Sequence, residues 1–87
     1  MQESTASFKA TAYPNPFAAA FKLELTGASQ DEVSVKVYDM LGKLVAREAF
    51  AAAEITSRQM GANLPSGVYN VVVSQGESLR TLRVIKR

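Results

Sequence analysis

The chain has 87 residues with ten Lys/Arg and eight Asp/Glu, so its formal net charge is +2. This length fits one small domain, and 47% hydrophobic with 21% charged residues is typical of a folded globular protein. The sequence contains neither His nor Cys, which excludes Ser-His-Asp and Cys-His catalysis, thiolate or imidazole zinc sites and disulfides.

The excess positive charge lies in the last ten residues. Residues 1–77 carry six basic and eight acidic side chains, a net charge of −2, whereas residues 78–87 carry four basic side chains and no acid. No aromatic residue lies in this segment to stack on bases, so the pattern favours a solvated edge strand, and we expect no nucleic-acid partner.

No apolar run approaches the roughly 20 residues that span a bilayer. The first four residues lack the features of a signal peptide, which predicts either a cytosolic protein or a fragment of a longer one.

Residues 1–7 are small and polar, which predicts a linker, and residues 8–87 are predicted to form the domain. Apolar residues then recur with a period of two, which indicates strands with one buried face. The four rows are Phe21, Leu23 and Leu25; Val33, Val35 and Val37; Tyr69, Val71 and Val73; and residues 79–85 with Leu82 and Val84. Because Val68 and Val72 add apolar residues on the other face, the third row predicts a central strand covered on both sides.

Turn residues separate these rows at short intervals, as expected of an all-β sandwich or barrel. They are Thr26-Gly27, Gly42, Gly61, Pro65-Ser66-Gly67 and Gln75-Gly76. Gly42 can adopt the left-handed conformation that closes a hairpin into residues 44–46. Pro65 presets φ for a turn, and Gly67 releases the chain into the next strand.

Residues 46–60 allow two interpretations. Five alanines together with Arg47, Glu48, Glu54, Arg58 and Gln59 favour an α-helix on propensity, with Gly61 placed as its C-cap. Against a helix, Phe50, Ile55 and Met60 are spaced by five and make no continuous apolar stripe. We expect an edge hairpin instead, with strands over residues 43–50 and 54–60.

The residue types that remain do not form a recognisable catalytic or binding constellation. Asp31 and Glu32 are adjacent before a strand and are most simply a polar turn. The sequence has no Asp-x-Asp-x-Asp-Gly calcium loop and no Gly-rich phosphate loop, since its five glycines are scattered singly. We therefore predict no enzymatic activity, no cofactor and no metal site.

Three local motifs stand out, and each has a structural interpretation. Residues 13–17, Tyr-Pro-Asn-Pro-Phe, are expected to form a rigid extended segment whose aromatics anchor the chain entering the core. Residues 37–43, Val-Tyr-Asp-Met-Leu-Gly-Lys, predict a strand, a tight turn and a strand. Residues 64–69, Leu-Pro-Ser-Gly-Val-Tyr, predict a turn that delivers an aromatic inward.

Taken in order, these motifs resemble the type A C-terminal sorting domain of the type IX secretion system of Bacteroidota. The ending Leu-Arg-Val-Ile-Lys-Arg at residues 82–87 is similar to the basic final strand of that family, so that the resemblance covers about 75 residues. The candidate motif and recognition residues are Tyr13, Pro14, Asn15, Pro16, Phe17, Tyr38, Asp39, Gly42, Lys43, Leu64, Pro65, Gly67, Tyr69, Lys86 and Arg87.

The resemblance implies an Ig-like β-sandwich of about seven antiparallel strands. It also implies a C-terminal signal that directs an N-terminal cargo protein from the periplasm through the outer-membrane translocon to the cell surface or the medium. Expected partners are the type IX translocon with its outer-membrane shuttle components and a sortase-like cysteine protease that removes the domain at the upstream linker. The polar residues 2–7 would lie at or beside that linker.

Recognition by such a translocon would require exposed groups near the C-terminus. Arg80, Arg83, Lys86 and Arg87 could offer cations to an acidic receptor, Lys43 protrudes at a turn tip, and a C-terminal edge strand could extend a partner sheet. Replacing Lys86 and Arg87 by Glu is expected to reduce secretion without unfolding the domain.

The alternative to a sorting domain is an Ig-like or fibronectin-like spacer, or a carbohydrate-binding module, on a cell-surface enzyme.

Overall fold

A computed structural model describes residues 8–26 and 31–87 of the chain. Within this part the protein is mostly β, which confirms the predicted fold class. The elements are β1 (Lys9–Tyr13), β2 (Lys22–Thr26), β3 (Val33–Tyr38), β4 (Leu44–Phe50), a 3₁₀ helix (Ala52–Ser57), β5 (Gly67–Gln75) and β6 (Ser78–Lys86). The predicted linker, residues 1–7, and Gly27 of the predicted Thr26-Gly27 turn lie outside the described residues.

The strands form two antiparallel sheets. β1 pairs with β2, and the larger sheet has the order β4-β3-β5-β6. β5 is therefore an interior strand, as predicted. Its inward residues are buried, but Val68 and Val72 on its outer face are only half-buried. The expectation of a strand covered on both faces is wrong, because the described chain places its second sheet on one side.

The core lies between the two sheets and follows the alternation in the sequence. The valines at 33, 35, 37, 71 and 73 point inward from the large sheet, whereas Leu23 comes from the small one. Four phenylalanines complete the core, and each is at most 4% exposed. Burying a side chain of this size stabilises the fold by about 1.5–3 kcal/mol. The period-two pattern therefore identified most of the core correctly.

Residues 46–60 adopt neither predicted structure in full. Residues 46–50 belong to β4, since Phe50 pairs with Val33, so sheet pairing overrides their helix propensity. The predicted second strand over residues 54–60 is wrong: Ala52–Ser57 is a 3₁₀ helix that buries Ile55. Met60 then exchanges two backbone hydrogen bonds of 2.9 Å with Phe21. Ile55 is the one large apolar side chain between Phe50 and Met60, so a single helical turn is enough to bury it. The segment then leaves the edge of β4 and crosses to the smaller sheet.

Arg58 connects this crossing segment to β4. Its guanidinium donates a hydrogen bond of 2.8 Å to Glu48 Oε1 and lies 5.3 Å from the centre of the Phe50 ring. The hydrogen bond to the Glu48 carboxylate, and then its charge, raise the pKa of Arg58 above the ordinary value. The pair is largely exposed, so we expect it to orient the segment and to add little stability.

Candidate functional site at one end of the sandwich

The three sequence motifs and the C-terminus converge at one end of the sandwich. Tyr38 at the end of β3 pairs with Asn70 near the start of β5, and Gly67 at that start pairs with Lys86. Residues 14–17 follow β1 and bond to the end of β6. We call residues 13–17, 38–43, 64–69 and 83–87 the motif end. The residues of the three motifs, with Lys86 and Arg87, therefore lie in one region, although the motifs are up to about 70 positions apart in the chain. Arg80, which the sequence also offered as a cation for recognition, pairs with Val73 and lies toward the opposite end.

The first motif closes the outer edge of β6. Asn15 donates from Nδ2 to the carbonyl of Arg83 at 2.8 Å, and its Oδ1 accepts the N–H of Ile85 at 3.0 Å. Phe17 continues the pairing, since its N–H donates to the Ile85 carbonyl and its carbonyl accepts the N–H of Arg87, both at 2.8 Å. The side-chain amide and Phe17 thus act as a short extra strand. The C-terminal half of β6 is consequently not a free edge, which corrects the expectation that this edge could extend a partner sheet.

The two aromatic residues of this motif differ in burial. Phe17 is fully buried, whereas Tyr13 is 41% exposed. Residues 14–16 form a bend, with the peptide bonds before Pro14 and Pro16 in the cis form. The expectation of an extended segment with two buried anchors is therefore wrong. The bend returns the chain toward β6, where the Asn15 amide and Phe17 can pair with its edge.

A glycine outside the candidate list makes this packing possible. The Phe17 and Phe21 rings meet edge to face with their centroids 5.0 Å apart. Gly61 lies against both rings, and a Cβ added there would come within 2.8 Å of Phe17 Cε2. Its φ of +87° also favours glycine. The sequence indicated a turn at Gly61, but no local signal indicated its contact with residues 40 or more positions away.

Lys86 is used inside the domain. Its ammonium donates to the carbonyls of Ala19, Gly61 and Ala62 at 3.2, 3.0 and 3.4 Å. It also lies 5.2 Å from the centre of the Phe17 ring. All three donor positions of the ammonium are thus occupied by the protein. Lys86 ties the C-terminus to two loops, and these contacts argue against the expectation that its charge can be reversed without affecting folding. Arg87 is exposed.

The second motif forms the predicted hairpin turn. The Asp39 carboxylate accepts the N–H groups of Leu41 and Lys43, each at 2.9 Å on Oδ1. The Asp39 backbone N–H donates to the Lys43 carbonyl, and the Gly42 N–H donates to the Asp39 carbonyl. Gly42 has φ +84°, as the predicted left-handed position requires. Asp39 and Gly42 therefore account for the shape of the turn.

The third motif delivers Tyr69 into the core, as predicted. Tyr69 is 5% exposed, and its hydroxyl donates to the Pro65 carbonyl at 2.6 Å. The Leu64 N–H donates to the Gly61 carbonyl at 3.1 Å, so this turn follows directly from the glycine that packs on the phenylalanines. The buried hydroxyl thereby has a partner, and the turn is fixed to the first residues of β5.

Other groups of the motif end remain outward, and two of them, Met40 and Leu41, were not among the candidates from the sequence. Leu41 is 93% and Met40 is 64% exposed at the β3–β4 turn. Near them lie the exposed cations Lys43, Arg83 and Arg87. Among the described residues the one ion pair joins Arg58 and Glu48, so no described carboxylate lies within 4 Å of these three cations. The signal that could have found Met40 and Leu41 is a pair of apolar residues at a turn tip, where polar residues are usual.

The opposite end of the large sheet, residues 31–33 and 75–78, has the opposite charge. Asp31, Glu32 and Glu77 lie there, around the turn between β5 and β6. The exposed surface of the motif end is therefore suited to binding a negatively charged partner.

The described residues contain no group of three acidic side chains arranged to hold a metal ion. In the same part of the chain no helix has the length and apolar character to cross a membrane.

Comparison with known proteins agrees with this arrangement. The family model described as a secretion system C-terminal sorting domain matches residues 11–87, which includes the whole motif end. Searches of curated proteins and of solved structures give no significant match. The match confirms the resemblance carried by the three motifs and favours a sorting signal over a spacer or sugar-binding module. The chain belongs to the family of secretion system C-terminal sorting domains, which direct the protein carrying them through the type IX system to the cell surface or the medium.

Proposed function

We propose that the domain acts as a sorting signal by presenting its motif end to the outer-membrane translocon while the cargo is attached on the other side. The observation that carries this proposal is the convergence of all three motifs and the C-terminus at one end. β1 runs toward that end over five residues, so the chain enters the domain about 13 Å away from it. Cargo and translocon would thus not compete for the same surface.

The charge distribution supports the same orientation. Lys43, Arg83 and Arg87 lie at the motif end, whereas Asp31, Glu32 and Glu77 lie at the opposite end. A domain with separated charges is turned by the field of a charged partner before contact, which raises the rate of productive encounters. An acidic face on a translocon or shuttle component would therefore attract the motif end first.

The same proposal places the processing site before Phe8. Phe8 is 1% exposed and belongs to the core, so a cut after it would remove a large buried side chain from the domain. A sortase-like cysteine protease would instead act in the small polar segment, residues 1–7, which is predicted to be the linker. The domain itself would supply recognition and no catalysis, consistent with a sequence that lacks His and Cys.

A secretion assay tests the proposal. Residues 1–87 are fused behind a periplasm-directed fluorescent protein and expressed in a bacterium with a working type IX system. We expect fluorescence at the surface or in the medium only when the translocon is intact. A matched fusion carrying Gly61→Val, which disrupts the Phe17 and Phe21 packing, should stay in the periplasm. Retention of the wild-type fusion, with the domain shown to be folded, would contradict the proposal.

Processing is tested on the same fusion. Mass spectrometry of the released cargo should find new C-termini within residues 1–7 and not beyond Phe8. A replacement of residues 2–7 by a Pro-rich segment of equal length should preserve export and abolish the cut. Cleavage inside β1 or later would contradict the proposed boundary.

A further inference from the structure

The β3–β4 turn exposes two large apolar side chains that the turn itself does not need. Its backbone is held by Asp39, whose Oδ1 accepts two N–H groups, and by Gly42 at φ +84°. Leu41 and Met40 are nevertheless 93% and 64% exposed. Side chains this exposed gain little from burial on folding. Polar residues would serve the turn equally well.

The turn is also unable to hide these side chains by a small rearrangement. The N–H groups of Leu41, Gly42 and Lys43 are all bonded within the turn, at 2.9, 3.0 and 2.9 Å. A backbone fixed in this way holds the two side chains outward before any partner arrives. Such preorganisation lowers the ordering cost of binding.

A shallow hollow and a further exposed leucine lie beside the turn. The hollow separates Met40 and Leu41 from Ser66 and from Gly67 and Val68 at the start of β5. Leu44, at the start of β4, is 40% exposed next to the turn. A partner that accepts Leu41 could therefore also cover Met40 and Leu44, and the resulting patch of apolar side chains is what the core of an interface usually contains.

Cations surround this patch. Lys43 belongs to the turn, and Arg83 lies two strands from Tyr38, through the pairs Tyr38–Asn70 and Asn70–Arg83, a distance of roughly 10 Å. The outer face of the large sheet carries the cations Lys36, Arg47 and Arg83. Among the described residues, its four strands place no acidic side chain on that face. The carboxylate of the turn, Asp39, is directed to its own backbone.

We infer that the Met40-Leu41 tip inserts into an apolar pocket rimmed by carboxylates on a protein of the type IX machinery. This inference rests on the proposed function and adds the contacting residues and the chemistry of the partner. Leu41 would supply the buried anchor, while Lys43 and Arg83 would pair with the acidic rim. Loss of one buried Leu anchor weakens an interface by about tenfold or more.

The first test uses the secretion assay with two matched leucines. Leu41→Ser alters the tip, whereas Leu79→Ser alters a leucine that is 56% exposed at the opposite end. Both variants should unfold at the wild-type urea concentration, since neither side chain is buried. We expect secretion to fall about tenfold for Leu41→Ser and to stay at the wild-type level for Leu79→Ser. Wild-type secretion of folded Leu41→Ser would overturn the inference alone, whereas failure of the wild-type fusion would overturn the proposed function and the inference with it.

The second test identifies what the tip contacts. A photo-crosslinking amino acid at position 41 of the secreted fusion should form an adduct with a type IX component, and the same group at position 79 should not. Lys43→Glu should reduce secretion more than Lys43→Gln, because only the former repels an acidic rim. Two other outcomes would overturn the inference: a dimer in sedimentation that Leu41→Ser dissociates, or flotation with phosphatidylglycerol vesicles that Leu41→Ser abolishes.

Discussion

The two ends of the sandwich differ in how their side chains are used and in their charge. At the motif end Asn15, Asp39, Tyr69 and Lys86 all bond to backbone groups, and two of them, Asn15 and Lys86, bond to distant segments of the chain. At the opposite end Gln75 donates to the Asp31 carbonyl at 2.7 Å, and three acidic residues lie nearby. The comparison teaches that a motif can identify a sorting domain mainly because it builds one end of it. The groups left for recognition are then those that the motif end does not use internally.

The largest expected effect breaks the packing beneath the motif end. Gly61→Ala places a Cβ 2.8 Å from the buried Phe17 ring and strains a residue at φ +87°, so we expect a loss of about 3 kcal/mol in the free energy of unfolding. Gly42→Ala is the matched control, because φ is +84° there but no atom lies within 4 Å; it should cost only about 1 kcal/mol. Urea denaturation measures both. Equal losses would show that the close contact with Phe17 contributes nothing.

Lys86 and Arg87 separate architecture from recognition at neighbouring positions. Lys86→Met keeps the apolar stem over Phe17 but removes three hydrogen bonds to carbonyls, so stability should fall by about 1–2 kcal/mol. Arg87→Met, at an exposed residue, should stay within about 0.5 kcal/mol of wild type. Thermal or urea unfolding of the two variants checks this. If Lys86→Met leaves the stability unchanged, the ammonium is not needed for folding, and Lys86 again becomes a candidate for recognition.

Asn15→Ala tests the closure of the β6 edge with a smaller effect. It removes the bonds to the Arg83 carbonyl and the Ile85 N–H, which are exposed, so the expected loss is about 1 kcal/mol. Amide hydrogen exchange at Ile85 should accelerate more than at Val71, in the interior strand. Asn63→Ala, in an exposed part of the loop before Pro65, should change neither quantity. Unchanged exchange at Ile85 would mean that the Asn15 side chain does not protect this edge.

The smallest effect is expected away from both ends. Glu48→Gln removes the ion pair with Arg58, and the unfolding midpoint should not change measurably at physiological salt, because exposed pairs are screened. Because the pKa of Arg58 is raised in the folded state, the Arg58 charge contributes to the free energy of unfolding at every pH below the ordinary pKa of arginine. Arg58 therefore adds no pH dependence to stability near neutrality. A clear shift of the urea midpoint in Glu48→Gln would show that the pair holds residues 52–60 in place.

The sequence alone determined most of the strands and turns. Alternation at Val33, Val35 and Val37 and at Tyr69, Val71 and Val73 gave the buried faces, and Gly42 and Gly67 gave the turn positions. These signals are local, because the strand period and the φ preference of glycine act within a few residues. The motifs further identified the family, which the match over residues 11–87 confirms.

Only the tertiary structure decided which motif residues remain available. Asn15 and Lys86 look like surface residues in the sequence, yet their partners lie 68 and 25 positions away, and no local pattern encodes such distances. The path of residues 52–60 is decided in the same way, by Ile55 entering the core and Met60 pairing with Phe21. A polar group acquires its function from the partner that folding brings to it. For that reason the sequence determined the domain, and the fold determined which surface it can offer to the translocon.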